Sequence, residues 1–178
     1  MRPFLFMSLA GFSLFDTPLG RCGVAWSERG VGSVLLPDSD GALRSRLARR
    51  FPDAHETTPP TDVKRAIDAI VDLLSGQPVD LSFVHLDMNG VPEFNQRVYA
   101  AARLILPGAT MTYGEIARRL GVPGSARAVG QALGRNPFPI IVPCHRVLAA
   151  DGKTGGFSAP GGTSTKLRML AIEGQRLL

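Results

Sequence analysis

Apolar and polar positions near the start of the chain follow the short period of β-strands. Between residues 12 and 36, runs of apolar, β-forming residues are interrupted by two turn-forming sequences, at residues 16–20 and 27–30. Between them these sequences contain aspartate, serine, proline and glycine, which tight turns favour. The pattern predicts three short strands that form an antiparallel sheet.

The apolar spacing then changes to that of a helix. Leu43, Leu47 and Phe51 recur at intervals of four residues, which predicts an amphipathic helix. Arginines at positions 44, 46, 49 and 50 give this helix a basic face. A solvated face is the simplest interpretation of such a charge pattern, and no further role is predicted for it.

A second helix and a further strand are predicted before residue 89. Apolar positions over residues 63–74 form a helical stripe that stops at Gly76, and Thr61 or Asp62 is expected to cap its start. Residues 81–86 are predicted to form a short strand. Residues 1–88 are therefore expected to be a small N-terminal α/β domain that supports the rest of the chain.

Helical periodicity dominates the second half, which predicts a mainly helical C-terminal domain over residues 89–178. Pro92 suits the first turn of a helix, and an apolar stripe follows over residues 94–105. Thr112 and Glu115 have the spacing of a capping box, in which each side chain satisfies a backbone N–H of the other residue. The fold class expected is therefore α/β (α+β).

Two short helices are predicted on either side of a turn at residues 121–125, which is the helix-turn-helix pattern. The second helix, capped by Ser125, carries Arg127 among alanines and glycines. A major-groove reader needs long polar side chains, whereas small residues allow close approach to the narrow minor groove. We expect this helix to enter the minor groove with Arg127 as a wedge. The alternative is an ordinary packed helix that buries Val129 and Leu133.

The last predicted helix begins at Thr163 or Ser164, either of which is able to cap it. Its apolar side chains are expected to pack inward and its charged side chains to face solvent. The residues expected inside are Leu167, Leu170 and Ala171, and those expected outside are Lys166 and Arg168.

A cysteine and a histidine lie side by side after an apolar, β-branched run at residues 140–142, which predicts a buried strand that ends at Pro143. A cysteine thiolate is a nucleophile, and a base within reach is its usual activator. Cys144 and His145 are therefore candidates for nucleophile and base. The alternative is a buried structural cysteine, because adjacent strand residues point to opposite faces.

Composition narrows the class of partner. Twenty Lys and Arg against fifteen Asp and Glu give a net charge of +5, which favours a polyanionic partner without requiring one. Cys22 and Cys144 are too few for a disulfide scaffold, and no metal-ligand spacing is present, so no metal is expected.

No apolar run reaches the roughly 20 residues of a membrane span. The start from Arg2 to Phe12 has features of a signal peptide but no small-residue cleavage site, so a cytoplasmic protein is expected.

The second half closely resembles the O6-alkylguanine-DNA alkyltransferases, also called methylated-DNA–protein-cysteine methyltransferases. The resemblance covers about residues 94–174 and is weaker over the N-terminal third, where residues 16–20 are the main match. The motifs that carry it, in chain order, are YGEIA at 113–117, ARAVG at 126–130, NP at 136–137, PCHRV at 143–147 and EG at 173–174.

The resemblance implies DNA repair by direct reversal. Such a protein flips O6-alkylguanine out of duplex DNA through the minor groove, because the target atom is inaccessible inside the stack. It then transfers the alkyl group irreversibly to its own cysteine, here Cys144, and is consumed in a single turnover. His145 is implied as the base, acting through a water molecule, and Glu173 as the residue that orients it.

The resemblance also assigns roles around these three residues. Tyr113 is implied as a hydrogen-bond donor to the guanine ring, Asn136 as the residue that holds the active-site turn, and Arg127 as the side chain that fills the gap left by the flipped base. Phe157 departs from the family, which often has tyrosine there. Further DNA contacts are implied for Ala126, Ala128 and Gly130, and further pocket residues are Pro143, Arg146, Val147 and Ser158.

Three alternatives compete with alkyl transfer. A non-catalytic lesion binder of the same fold commonly has tryptophan in place of the cysteine, so Cys144 argues against it. A Cys-His-Glu hydrolase needs an oxyanion hole and a direct Cys–His hydrogen bond, and leaves Arg127 without a purpose. A sequence-specific regulator needs a recognition helix with several long polar side chains that reach the base edges. We therefore expect a monomer that needs no cofactor and binds duplex DNA containing O6-alkylguanine largely without regard to sequence.

Overall fold

The structure is a computed structural model, and it describes residues 11–175. The segment considered as a signal peptide, from Arg2 onward, lies almost entirely outside the described residues. None of the helices within the described part is long and apolar enough to cross a membrane.

Three antiparallel strands open the described part of the chain, as the alternation predicts. Strands β1 (Gly11–Thr17), β2 (Gly20–Ser27) and β3 (Gly30–Leu35) pair in the order β1-β2-β3. Gly30 has a φ of +128°, and a Cβ there would lie 2.4 Å from the carbonyl oxygen of His85. Glycine is therefore required where the β2–β3 turn passes beneath a later segment.

Two helices pack against this sheet. Helix α1 (Asp40–Arg50) buries Leu43 and Leu47, as predicted. Helix α2 (Thr61–Leu74) is the predicted second helix, but Pro60 occupies the N-cap and no side chain caps it. The expected cap by Thr61 or Asp62 is therefore wrong, because both residues already lie inside the first turn.

The predicted strand at residues 81–86 is also wrong. These residues form a turn, and only an isolated bridge between Val31 and Leu86 joins them to the sheet. The carboxylate of Asp80 accepts hydrogen bonds from the backbone N–H and the hydroxyl of Ser82, at 2.8 and 2.9 Å. Such local bonds compete with pairing to a neighbouring strand.

Four α-helices and a two-stranded parallel sheet make up the second half of the described residues. They are α3 (Glu93–Ala102), β4 (Met111–Thr112), α4 (Tyr113–Arg119), α5 (Ala126–Gly134), β5 (Val147–Leu148) and α6 (Gly162–Ile172), with β4 paired to β5. The two-stranded sheet was not predicted, since two residues carry too little pattern to identify a strand.

Helix α6 differs from its prediction at its start and on both faces. Gly161, with a φ of +82°, occupies the N-cap, so neither Thr163 nor Ser164 caps the helix. The buried residues are Lys166, Met169 and Leu170, while Leu167 and Ala171 are exposed.

One continuous hydrophobic core links the two halves. Its buried residues come from β1 to β3, α2, α3, α4, α5 and α6. The backbone N–H of Val34 on β3 donates to the carbonyl of Pro137 at 2.9 Å, so the sheet supports the segment that leads to Cys144. The division at residues 88 and 89 stays a prediction.

Candidate active site

The segment before the cysteine is a tight buried turn, so the predicted strand at residues 140–142 is wrong. Ile140 has a φ of +76° and is the only non-glycine residue between residues 11 and 175 with a positive φ. A β-branched residue rarely adopts this conformation, and such outliers concentrate at functional sites. The chain then enters one turn of 3₁₀ helix at Cys144–Arg146.

Asn136 closes this turn with two hydrogen bonds. Its side-chain N–H₂ donates to the carbonyl of Val142 at 2.9 Å, and its side-chain oxygen accepts from the backbone N–H of Phe138, also at 2.9 Å. A second layer lies beneath, where the Tyr99 ring contacts Phe138 edge to face and its hydroxyl donates to Ala132 at 2.7 Å. These contacts fix the backbone that carries Cys144.

The Cys144 thiol lies in an environment that opposes its ionisation at rest. Burial raises its pKa, while a hydrogen bond with Asn136 and the positive charge of Lys166 act in the opposite direction. The thiol is therefore protonated at neutral pH and needs a base before it attacks. The other cysteine, Cys22, is an inert buried thiol whose pKa burial raises to about 12.

Directly after the cysteine, His145 and Arg146 converge on Glu173. The imidazole Nε2 of His145 lies 2.8 Å from Oε1 of Glu173. The guanidinium of Arg146 donates to both carboxylate oxygens, at 2.9 and 2.7 Å, and to the Ile105 carbonyl at 2.6 Å. The prediction that Arg146 lines the substrate pocket is thus corrected, because its charged group is buried against Glu173.

The protonation of this group follows from its contacts. Burial lowers the pKa of His145, despite the hydrogen bond and negative charge of Glu173, so the imidazole is neutral at pH 7. Burial by itself would raise the pKa of Glu173, but hydrogen bonds from His145 and Arg146 and the positive charge of Arg146 lower it to about 2. The ionised carboxylate fixes the tautomer with the proton on Nε2. The lone pair on Nδ1, a buried atom with no hydrogen-bond partner among the described residues, is then available to accept a proton.

Lys166 belongs to the site, although it was predicted to face solvent. It is fully buried, and its Nζ donates to the carbonyl of Val147 at 2.7 Å. The same atom lies 5.9 Å from the centre of the Tyr113 ring and 5.8 Å from that of Phe157. Burial lowers its pKa to about 8, against the effect of Cys144. A lysine within an amphipathic pattern is ordinarily exposed, so the sequence contains no signal that would have identified it.

Tyr113 is positioned by the predicted capping box, which is present. Thr112 accepts from the backbone N–H of Glu115 at 3.1 Å, and Glu115 accepts from that of Thr112. Helix α4 therefore begins at Tyr113, whose pKa is raised by burial and by the nearby Cys144. A Cβ at Gly155 would lie 3.1 Å from the Tyr113 hydroxyl, so the glycine there leaves room for the phenol.

Cys144 opens into a cleft of about 1010 Å³ between the active-site turn, α5 and the N-terminal sheet. Ser158 is fixed at its rim by donating to the carbonyl of Gly134 at 3.0 Å. Of the predicted site residues, the cleft is lined by Tyr113, Ala126, Arg127, Gly130, Asn136, Phe157 and Ser158 in addition to Cys144. It is not lined by Ala128, Pro143, His145, Arg146, Val147 or Glu173.

Helices α4 and α5 pack together with a turn between them. Val129, Ala132 and Leu133 form the buried side of α5, and Arg127 on its first turn is exposed. Ser125 occupies the N-cap position as predicted, but its side chain makes no capping hydrogen bond. The backbone N–H groups at this end of α5 are therefore not capped by that side chain.

The sequence of this chain is similar to those of one protein family. Residues 93–175 match the family model described as the DNA-binding domain of 6-O-methylguanine DNA methyltransferase. The chain is 37% identical to the methylated-DNA–protein-cysteine methyltransferase of Methanothermobacter thermautotrophicus over 160 residues, which are 90% of this chain and 83% of that protein.

Two solved structures have a similar fold. The O6-methylguanine methyltransferase of Mycobacterium tuberculosis superposes with a TM-score of 0.72 at 33% identity, covering 94% of both chains. The Mycobacterium tuberculosis OGT protein in complex with DNA superposes with a TM-score of 0.71 at 31% identity, covering 92% of both chains. This agreement confirms the α/β fold class expected from the sequence.

Proposed function

The chain belongs to the methylated-DNA–protein-cysteine methyltransferases, and on that premise we propose that it repairs O6-alkylguanine in duplex DNA by transferring the alkyl group to Cys144. The observation that carries the proposal is the position of Cys144 in an open cleft, directly before a buried base that is held by a carboxylate. The OGT protein of Mycobacterium tuberculosis, which has the same fold, has been solved with DNA.

The reaction begins with removal of the thiol proton. Nδ1 of neutral His145 accepts it through a water molecule, and Glu173 stabilises the imidazolium that forms. The sulfur then attacks the alkyl carbon, a carbon–sulfur bond forms, and the bond from that carbon to O6 breaks with its electron pair on the guanine. Because Arg146 keeps Glu173 ionised, the carboxylate is able to compensate the charge on His145.

The departing guanine needs a proton donor. Tyr113 lines the cleft, and its raised pKa keeps the phenol protonated at neutral pH. Its hydroxyl donates to the guanine ring, which makes the base a better leaving group. The backbone amide of Ser158 contacts O6, and the carbonyl of Cys144 accepts from the exocyclic amine. Val147, a predicted pocket residue, is buried outside the lining of the cleft, and its carbonyl accepts from Lys166.

DNA is bound by α4 and α5 acting as a helix-turn-helix. The small residues of α5 approach the minor groove, and Arg127 enters the stack in place of the flipped nucleotide. The exposed position of this arginine at the edge of the cleft supports that role. Residues 89–178 then form the reacting domain and residues 1–88 its support.

A hydrolase has less support from the site. Such an enzyme needs its cysteine and histidine in direct contact, yet among the described residues His145 Nδ1 has no hydrogen-bond partner. A thioether on Cys144 is also stable, because a thiolate is a poor leaving group from an alkyl carbon, and the other cysteine, Cys22, is buried inside the sheet. The protein is therefore consumed by one reaction.

Titration with lesion-containing duplex tests this function. Limiting protein is incubated with excess duplex carrying O6-methylguanine, and repaired guanine is counted against protein. We expect repair to stop at one guanine per molecule and a second addition of DNA to yield none. Repair that continues beyond one equivalent would contradict the proposal, and so would its absence with fully folded protein.

A further inference from the structure

The cleft that contains Cys144 extends well beyond a base-sized pocket, and its far wall comes from the N-terminal half. Val34, Leu35 and Leu36 of the β3 segment contribute to it, together with Arg46 and Arg50 of α1. The basic helix that the sequence left without a role therefore faces the same space as the reacting cysteine.

The charged residues that line this cleft are of one kind. Among the described residues they are Arg46, Arg50, Arg127 and Arg135, and no aspartate or glutamate lines it. None of these four arginines forms an ion pair within residues 11–175, whereas Arg44 on the same helix pairs with Asp40 and Glu56. A guanidinium fork without a carboxylate partner matches the geometry of a phosphate.

Arg46 and Arg50 oppose each other in the free protein. They stand four residues apart on α1, where like charges destabilise a helix. The side chain of Arg50 is partly exposed, and its partial desolvation lowers its pKa, which the charge of Arg46 lowers further. Nη1 of Arg46 is buried and, among the described residues, has no hydrogen-bond partner. An anion between these side chains would relieve both unfavourable features.

We propose that Arg46 and Arg50, with Arg135, form a phosphate-binding site through which the N-terminal domain holds the backbone of the damaged DNA strand. The inference rests on the proposed function, because it takes its anion from the same duplex. It gives the N-terminal domain a part in binding DNA and not only in support.

The length of α5 sets where this phosphate lies relative to the lesion. Arg127 is near its start and Arg135 follows its end, so the two are about 12 Å apart along the helix axis. With Arg127 in the gap left by the flipped base, the site falls about three to four nucleotides from the lesion, since successive nucleotides of one strand rise roughly 3.4 Å.

Salt dependence of DNA binding tests the site. All proteins carry Cys144→Ser so that binding is measured without reaction, on a duplex with one O6-methylguanine. Each phosphate contact contributes roughly 0.9 to the slope of log affinity against log salt, so R46Q/R50Q, which removes one such contact, should reduce the slope by about 0.9. Between about 50 and 200 mM salt the parent protein should then lose about 3.5-fold more affinity than this variant.

Two matched variants separate contact from net charge. R29Q/R49Q removes an equal number of positive charges, but from exposed positions outside the cleft. Its salt slope should equal that of the parent protein. R46K/R50K keeps both charges and should keep the slope. An R46Q/R50Q slope equal to the parent's, or an equal fall in both Gln variants, would overturn the proposal.

A second measurement locates the contact on the DNA. Neutral methylphosphonates are placed about three to four nucleotides from the lesion on one side or the other. One of the two placements should lower the slope for the parent and leave R46Q/R50Q unaffected; no effect on either side would also overturn the proposal. Alkyl transfer by the protein with Cys144 intact is measured separately, so loss of transfer with normal, arginine-dependent binding would refute the proposed function alone.

Discussion

The imidazole of His145 lies 2.8 Å from the carboxylate of Glu173, and both side chains are almost completely removed from solvent. Glu173 is also held by Arg146 through both carboxylate oxygens. The chain therefore keeps a neutral base, an ionised acid and an arginine together next to the residue that reacts.

Glu173 should link stability to pH. Its pKa is about 2 in the folded protein against 4.5 for the free group. Because the folded pKa is depressed, the ionised carboxylate stabilises the fold above pH 4.5, and this stabilisation is lost as the pH falls toward 2. A shift of this size corresponds to about 3 kcal/mol. Unfolding in urea across this range measures it.

The Glu173→Gln variant should remove that dependence. At pH 7 it leaves the charge of Arg146 buried without a carboxylate partner, which we expect to cost about 3–5 kcal/mol of unfolding free energy. The difference from the unsubstituted protein should narrow as the pH falls. Glu28→Gln, at an exposed position, is the control; a constant difference at all pH values would contradict the assigned charge state.

Lys166→Met should lower reactivity without lowering stability. The substitution removes a buried charge that favours the Cys144 thiolate, so the pKa of Cys144 should rise. Loss of a buried ammonium is expected to leave the unfolding free energy unchanged or increased, since methionine has a similar volume. The pH profile of Cys144 alkylation by iodoacetamide measures the first effect. A profile that does not move would show that Lys166 acts only through packing.

Asn136→Ala should loosen the turn that carries the cysteine. It removes the hydrogen bonds to Val142 and Phe138, and leaving their buried backbone groups unpaired costs about 1–3 kcal/mol each. We expect slower alkyl transfer together with a lower unfolding free energy. Asn89→Ala is a suitable comparison outside the turn. Normal transfer at reduced stability would show that the turn tolerates the loss.

Arg127→Ala should impair repair of duplex DNA more than repair of single strands. An unpaired O6-methylguanine needs no extrusion, so the side chain that fills the gap is dispensable there. The ratio of duplex to single-strand repair rates measures this role, with Arg49→Ala as a control at an exposed position on α1. An unchanged ratio would contradict the role of Arg127 as a wedge.

The sequence predicts the elements whose own pattern is strong. The three N-terminal strands, α1 to α5 and the capping box at Thr112 and Glu115 are present as expected. Each combines a clear apolar period with turn or cap residues, and both signals are local. The same holds for the order of the motifs that identify the family.

The predictions from the sequence are wrong where tertiary contacts outweigh the local pattern of residues. Ile140 belongs to an apolar, β-branched run, yet the bonds of Asn136 and the neighbouring prolines impose a turn with a positive φ. Lys166 has the sequence pattern of a surface residue. Inside the protein, however, its ammonium group donates to the Val147 carbonyl and lies over the rings of Tyr113 and Phe157. Arg146 follows the cysteine in sequence, yet points to Glu173. These partners are distant in the chain and leave no mark on local spacing.

The most direct measurement is the intact mass of the protein after incubation with a duplex that contains one O6-methylguanine, followed by mapping of the modified peptide. Cys144→Ser is the matched control, and Cys22→Ser tests the other cysteine. We expect the unsubstituted protein and Cys22→Ser each to gain one methyl group, located on Cys144, and Cys144→Ser to gain none. A methyl group at any other residue, or binding of the duplex without a change in mass, would contradict alkyl transfer to Cys144.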